Sequence, residues 1–193
     1  MTENPIETFC PTNPEDWRQW LEINHLSKTS IWLVIYKKST PNPNLSWSQA
    51  VDEALCYGWI DSTKRSIDQD SYMQYFCKRK PKSIWSKINK KKVDELLEKG
   101  LIKEAGLKSI AIAKENGSWN ILDSVEALII PKDLKLELTK SPVAFEYFNT
   151  LSDSIKKQLL YWVISAKRPE TRQKRIVEIT ENTSEKRLPK HIR

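Results

Sequence analysis

Glycine and histidine are scarce in this chain of 193 residues, and their scarcity excludes several common kinds of site. The four glycines stand at positions 58, 100, 106 and 117, so the chain has neither a G-x-G-x-x-G dinucleotide fingerprint nor a Walker A loop. Two histidines and three scattered cysteines give no spacing typical of zinc sites. The G-x-S-x-G nucleophile motif of many hydrolases is also missing. The sequence therefore predicts no cofactor and no metal of these common types.

Long apolar runs are missing as well. No stretch approaches the ~20 apolar residues that a membrane-spanning helix needs. The N-terminal segment "MTENPIETFCPTNPEDW" has neither the basic nor the apolar region of a secretory signal. Cys10, Cys56 and Cys77 form an odd, widely spaced set, which fits reduced thiols better than a disulfide framework. We therefore expect a cytoplasmic protein that does not insert into a membrane.

The excess of positive charge is concentrated in one segment of the chain. The net charge is +7, and residues 78–92, "KRKPKSIWSKINKKK", carry eight of the 32 lysines and arginines and no acidic residue. Outside this basic patch the numbers of basic and acidic residues are nearly equal. A weaker basic segment, "AKRPETRQKR", covers residues 166–175. A local cluster of this kind favours an anionic partner, either a small ligand or a nucleic acid.

The pattern of apolar and capping residues predicts an α+β fold. The run "SIWLVIYKK" predicts a strand near residues 31–37, and the segment 59–77 predicts an antiparallel hairpin. The pair Ser46 and Gln49 forms a capping box that begins a helix ending near Gly58. From Ser83 onward the sequence is helical in character, with prolines at plausible helix starts. We expect a single domain over residues 1–193, with an α+β part over 1–100 and a helical part over 101–193.

Several motifs together resemble one protein family. They are "WLEINH", "EALCYGWIDS", "KRKPKSIWSKIN", "LLEKG", "AIAKENGSW" and "AKRPETRQKRI", which follow one another over nearly the whole chain. This order is similar to that of the YdeI/OmpD-associated family, also called bacteriocin-protection proteins. The resemblance implies a bacterial protein with a small α+β fold and no established activity. The family name suggests a link to a porin or to bacteriocin protection, although a periplasmic partner of a porin would need a signal sequence.

A first candidate site lies at the start of the predicted Ser83 helix. If "SIWSKINKKKVDELLEK" is one helix, Trp85 and Asn89 share a face with Val93, so Asn89 points inward and needs a polar partner. The N–H groups at this helix N-terminus would be surrounded by cations, an arrangement suited to phosphate or carboxylate. An ordinary exposed basic loop remains the alternative. The candidate ligand-binding residues of this segment are Arg79, Lys80, Ser83, Trp85 and Asn89.

A second candidate concerns two arginines of "RPETRQKRIVEI". Arg172 and Arg175 fall on the same helical stripe as the apolar Ile176, so at least one should be mostly buried and paired with a carboxylate. Asp61 is the first expected partner and Glu53 the second. Asp61 would then orient an arginine toward a pocket. A buried salt bridge with no pocket attached is the alternative.

Three functions remain open from the sequence. The favoured one is binding of a small anionic ligand between the hairpin, the Ser83 helix and the arginine-bearing helix. The second is nucleic-acid binding through residues 78–92, for which the aromatic residues Tyr72, Tyr75 and Phe76 would offer stacking surfaces. The third is an enzyme that uses Asp61 as a base or Cys56 as a nucleophile, the latter with His25 as its base.

Overall fold

The fold of the chain is α+β, as the sequence predicts. A computed structural model describes residues 7–192. The described chain divides into two compact units, one ending at Trp119 and the other beginning at Asn120. The prediction of a single domain stays a prediction, and each unit is described by itself.

The first unit contains a four-stranded mixed sheet and four helices among its described residues. Strands β2, β3 and β4 form the antiparallel core of the sheet, and β1 adds a short parallel pairing to β2, which gives the strand order β1-β2-β4-β3. The elements are β1 (Thr8–Phe9), α1 (Pro14–Asn24), β2 (Ser30–Tyr36), α2 (Trp47–Cys56), β3 (Trp59–Ser66), β4 (Ser71–Lys78), α3 (Lys87–Glu98) and α4 (Glu104–Glu115).

The core of the first unit lies against one face of the sheet. Alternate residues of β2 are buried, as expected for a strand with one covered face. Trp17 of α1 packs its ring 5.3 Å from that of Phe76 on β4, and both side chains are fully buried. The indole N–H of Trp17 donates to the carbonyl oxygen of Ala50 on α2 at 3.0 Å. These contacts join α1, α2 and the sheet around one apolar cluster.

Capping residues set several helix ends where the sequence predicts them. Asn13 caps α1, whose first residue is a proline, and Ser46 and Gln49 form the predicted capping box of α2. Gly58, Gly100 and Gly117 have positive φ and follow the ends of helices, where a left-handed residue closes the last turn.

The predicted start of the third helix at Ser83 is wrong. The helix α3 begins at Lys87, and Ser86 is its N-cap, because the Ser86 hydroxyl accepts a hydrogen bond from the Asn89 N–H at 3.2 Å. Ser83 instead belongs to the preceding loop, where its own N–H donates to the carbonyl oxygen of Lys80. The buried ring of Trp85 packs 4.8 Å from that of Trp119, which holds this segment in a non-helical path before α3.

All the secondary-structure elements in the described part of the second unit are helices. Its core contains Leu134, Phe148, Leu159, Val163 and Ile176, all of them buried. Within residues 7–192 the last strand of the chain ends at Lys78, in agreement with the predicted helical C-terminal half. The helices are α5 (Asp123–Glu126), α6 (Lys132–Thr139), α7 (Pro142–Thr150), α8 (Asp153–Ile164) and α9 (Pro169–Ser184).

Candidate functional site

A small pocket of the first unit lies beside Gly58, in the turn between α2 and β3. Its volume is about 230 Å3. Four parts of the unit supply its walls: the end of α1, the α2–β3 turn, the end of β4 and one face of α4. The polar side chains that line this basic pocket are His25, Tyr57, Lys78, Arg79, Lys108 and Ser109.

Two glycines allow the floor of the basic pocket to form. Gly58 has a φ of +72°, and a Cβ there would lie 2.8 Å from the carbonyl oxygen of Ala105 on α4. In turn, a Cβ at Gly106 would lie 2.5 Å from the carbonyl oxygen of Cys56. The Lys103 N–H donates to the same Cys56 oxygen at 2.9 Å. The end of α2 and the start of α4 therefore meet backbone against backbone.

Arg79 is the most constrained cation of the basic pocket. Its guanidinium lies 3.6 Å from the ring centroid of Trp85, and its Nη1 donates to the carbonyl oxygen of Ile84 at 3.1 Å. Burial lowers the pKa of Arg79 to about 10, and the negative charge of Asp61 opposes that shift. The group is therefore cationic at neutral pH, held rigidly on an aromatic ring.

Two buried N–H groups beside this stack have no hydrogen-bond partner among residues 7–192. They are Nε of Arg79 and Nε1 of Trp85. Buried donors are normally paired, because an unpaired one costs roughly 1–3 kcal/mol. This part of the unit thus has hydrogen-bonding capacity that the described side chains and backbone do not use.

The other cations of the basic pocket come from separate elements. Lys78, the last residue of β4, donates from Nζ to the carbonyl oxygen of Leu26 at 2.7 Å, which directs the ammonium group to the end of α1. Lys108 lies on α4, next to Ser109. Among the described residues, no carboxylate lines the pocket. Three cations without a lining acid create a positive potential in a concave space, which favours an anion.

His25 and Tyr57 form the wall at the end of α1. The Nδ1 atom of His25 lies 2.8 Å from the carbonyl oxygen of Leu21, an oxygen that only accepts, so Nδ1 carries a proton and Nε2 accepts in the neutral ring. The two rings lie 5.1 Å apart. The Tyr57 hydroxyl donates to the Glu22 carboxylate, and burial together with this bond raises the pKa of Tyr57. Both side chains are thus held by the protein itself.

The residues predicted near Ser83 divide into two groups. Arg79 lines the basic pocket, and Trp85 supports its guanidinium. Lys80 is exposed, and Ser83 and Asn89 are half-buried outside the pocket lining. Because α3 begins at Lys87, Asn89 lies in its first turn, and the cations surround a loop rather than a helix N-terminus.

The predicted partners of the arginines are wrong. Arg172 forms a two-pronged bond to Asp133 on α6, from Nε to Oδ2 at 2.6 Å and from Nη2 to Oδ1 at 2.9 Å. Arg175 donates to the carbonyl oxygen of Trp162 and to the Ser165 hydroxyl. Both arginines are half-buried rather than mostly buried. Their contacts lie within the second unit, because α9 packs against α6 and α8.

The two carboxylates expected to hold those arginines have other partners. Asp61 accepts from the indole N–H of Trp47 at 2.9 Å and from the Gln74 amide at 3.2 Å. Glu53 pairs with Arg18 at 2.6 Å, since α1 and α2 pack side by side. Neither carboxylate therefore binds Arg172 or Arg175.

Cys56, the candidate nucleophile, is fully buried at the end of α2. Burial raises the pKa of its thiol to about 11, so the thiol is protonated at neutral pH. Within the described residues, no group of three or more histidine, cysteine or acidic side chains could hold a metal ion. The described helices include none that is long and apolar enough to cross a membrane.

Sequence reasoning found two of the six polar side chains that line the basic pocket. It found Arg79 and Lys78 from the basic patch, and Gly58 from the end of a helical pattern, but it gave no ligand role to His25, Lys108 or Ser109. The two residues of α4 follow no local motif. Only the close approach of α4 to Gly58 brings them to the pocket.

Comparison with known families gives two matches in consecutive parts of the chain. Residues 9–109 match the family described as "Domain of unknown function (DUF8412)". Residues 127–186 match the family described as "Bacteriocin-protection, YdeI or OmpD-Associated", which supports the resemblance predicted from sequence. Of the motifs that suggested that resemblance, "AKRPETRQKRI" lies in the second range and most others lie in the first. Neither the proteins with curated descriptions nor the solved structures include a match.

Proposed function

The chain belongs to the DUF8412 family, whose description names no activity, and we propose from the geometry of the first unit that it binds a small anionic ligand in the basic pocket. The observation that carries this proposal is the convergence of Lys78, Arg79 and Lys108 on one concave space that no acidic residue of the described range 7–192 lines. Anions that pair with a guanidinium and ammonium groups form short, charge-assisted hydrogen bonds. Phosphate and carboxylate groups fit this chemistry.

The volume of about 230 Å3 restricts the ligand to a small molecule or to the terminal group of a larger one. Trp59, Leu26 and Ile112 add apolar walls, so the part of the ligand next to the anionic group need not be polar. A rigid guanidinium on Trp85 lowers the conformational cost of binding.

Thermal unfolding with a panel of anions tests this proposal. Phosphate, pyrophosphate and citrate are compared with chloride at equal ionic strength, because a ligand that binds only the folded state raises the melting temperature. We expect Lys108→Ala to weaken binding about ten-fold, which corresponds to about 1.4 kcal/mol. Lys87→Ala, which removes an exposed lysine of α3 outside the pocket, is the matched control and should bind as the wild type does. The proposal would be contradicted if anions raised the melting temperatures of Lys108→Ala and Lys87→Ala equally, or if no anion raised the melting temperature of the wild type.

Nucleic-acid binding through residues 78–92 receives less support from the side chains. Lys92 pairs with Asp52 at 2.6 Å, and Lys91 lies 3.8 Å from Glu95. These two cations of the patch are thus engaged within the protein. Binding to single-stranded DNA that weakens steeply with salt, and that is lost in Lys80→Ala and Lys82→Ala, would favour the nucleic-acid alternative.

A further inference from the structure

A second concave site lies at the other end of strand β4 from the basic pocket. It has a volume of about 450 Å3, which is within the usual range for small-molecule sites. It is formed by the end of β2, the loop before α2 and the first turn of α2. We call it the aromatic cleft, after its three ring-bearing residues Tyr36, Trp47 and Tyr72.

Two of these rings are partly exposed to solvent. Tyr36 is 40% exposed and Trp47 is 41% exposed, whereas Tyr72 is 9% exposed. Exposed aromatic residues grouped around a concavity mark binding surfaces more often than scattered ones do. The aliphatic residues Ile35 and Leu45 are buried and complete the apolar lining.

Hydrogen bonds hold the walls of the aromatic cleft in place. The indole N–H of Trp47 donates to Asp61 at 2.9 Å, which sets the orientation of an otherwise exposed ring. Asn44 accepts from the Tyr36 N–H and donates to the carbonyl oxygens of Pro11 and Val34, each at 2.9 Å. The loop before α2 is therefore anchored to β2.

The charged side chains that line the aromatic cleft are both lysines, whereas the Asp61 carboxylate contacts the cleft wall only through the indole N–H of Trp47. Lys37 and Lys38 line the cleft, and among the described residues no carboxylate does. The Lys37 ammonium is held by the carbonyl oxygen of Gln69 at 2.6 Å, while Lys38 is exposed. Lys64 places its ammonium 4.0 Å from the centroid of Tyr72, so a cation already covers that ring. These cations oppose a cationic ligand and attract an anionic one.

From the rings, the volume and the charges together, we propose that the aromatic cleft binds a planar aromatic molecule that carries one negative charge, such as an aromatic carboxylate or sulfonate. The rings of Tyr36 and Trp47 contact the aromatic part, and Lys38 pairs with the anionic group. This site is separate from the basic pocket and does not depend on the function proposed for it.

Two matched probes test the proposal. The first is 8-anilinonaphthalene-1-sulfonate, and the second is N-phenyl-1-naphthylamine, which has the same rings without the sulfonate. We expect one equivalent of the sulfonate to bind the folded chain, with an affinity that falls at least ten-fold in Trp47→Ala and in Tyr36→Ala. Lys38→Gln should lower the affinity for the sulfonate several-fold and leave the affinity for the neutral amine unchanged.

Control variants distinguish binding in the aromatic cleft from non-specific binding to exposed apolar side chains elsewhere. Ile23→Ala removes an apolar side chain that is 78% exposed on α1, and it should leave both affinities unchanged. Saturating pyrophosphate should not displace the sulfonate. Equal losses in Ile23→Ala and Trp47→Ala, or tighter binding of phenyltrimethylammonium than of the sulfonate, would overturn the proposal. Trp47→Phe keeps a ring at this position, so its retained binding is expected and its complete loss would count against ring contact.

Discussion

Asp61 accepts hydrogen bonds from two side chains, Trp47 and Gln74. These bonds determine how much stability is lost when Asp61 is replaced. We expect Asp61→Ala to lower the free energy of unfolding by about 1–2 kcal/mol, because the nearly buried Gln74 amide keeps its second bond, to the carbonyl oxygen of Ser62. Asp61→Asn retains an acceptor oxygen and should lower the free energy of unfolding by less. Urea unfolding of both variants measures the difference. A loss of 3–5 kcal/mol in Asp61→Ala would instead indicate a buried ion pair.

Asp133 makes part of the stability of the second unit dependent on pH. The bonds from Arg172 hold the pKa of Asp133 below its ordinary value. A carboxyl whose pKa is depressed by folding contributes stability that is complete above its unfolded pKa of about 4 and is lost as the pH falls through the folded value. We therefore expect Asp133→Asn to show a flatter loss of stability between pH 5 and pH 2 than the wild type.

The matched control for that measurement is Glu146→Gln, which changes an exposed carboxylate of α7 in the same unit. It should follow the wild-type acid profile. If Asp133→Asn has the same profile as Glu146→Gln, the ion pair with Arg172 contributes nothing measurable, as is common for partly exposed pairs.

The partners of these charged residues could not be predicted from the sequence. Arg172 and Asp133 are 39 positions apart, and Arg18 and Glu53 are 35 positions apart. A helical stripe shows that an arginine needs an acceptor, but the packing of one helix on another decides which acceptor it meets. Asp61 was predicted to pair with an arginine, whereas its partners are the Trp47 indole and the Gln74 amide.

At the scale of the elements, the start of α3 offers a direct comparison between two serines. Ser86 accepts from the Asn89 N–H and is the N-cap, whereas Ser83 lies in the loop. We expect Ser86→Ala to lower the free energy of unfolding by about 1 kcal/mol. Ser83→Ala should change it by less than about 0.5 kcal/mol. Equal effects of the two substitutions would mean that α3 does not begin at Lys87.

The sequence predicted most elements within a few residues. The strand expected at 31–37 is Ser30–Tyr36, and the hairpin expected at 59–77 consists of Trp59–Ser66 and Ser71–Lys78. Ser83 and Ser86 are both plausible caps, and only the tertiary packing of Trp85 on Trp119 decides between them. Strand β1 was not predicted, because two residues cannot show a periodicity.

At the scale of the whole molecule, the two units have separate apolar cores. One cluster contains buried residues from Trp17 to Trp119, and the other contains buried residues from Val125 to Ile192. Seven of the eight tryptophans lie in the first unit, and only Trp162 lies in the second. Tryptophan fluorescence therefore reports mainly on the first unit, whereas circular dichroism reports on the helices of both.

This distribution gives a test of the single-domain prediction. We expect urea unfolding followed by fluorescence and by far-ultraviolet circular dichroism to give different midpoints, because the buried apolar residues form two separate clusters rather than one continuous core. A Trp162→Phe variant should leave the fluorescence transition unchanged. Coincident transitions by both methods would support one cooperative domain over the whole chain.

The contact between the end of α2 and the start of α4 has a consequence for how fast a ligand reaches the basic pocket. Gly58 and Gly106 bring two backbones together, and the Lys103 N–H is bound to the Cys56 oxygen across the gap. Separating the end of α2 from the start of α4 would break this backbone hydrogen bond. We therefore expect an anion to enter without an opening of this contact, and its observed association rate should rise linearly with anion concentration, in a single phase limited by diffusion and increased by the cations.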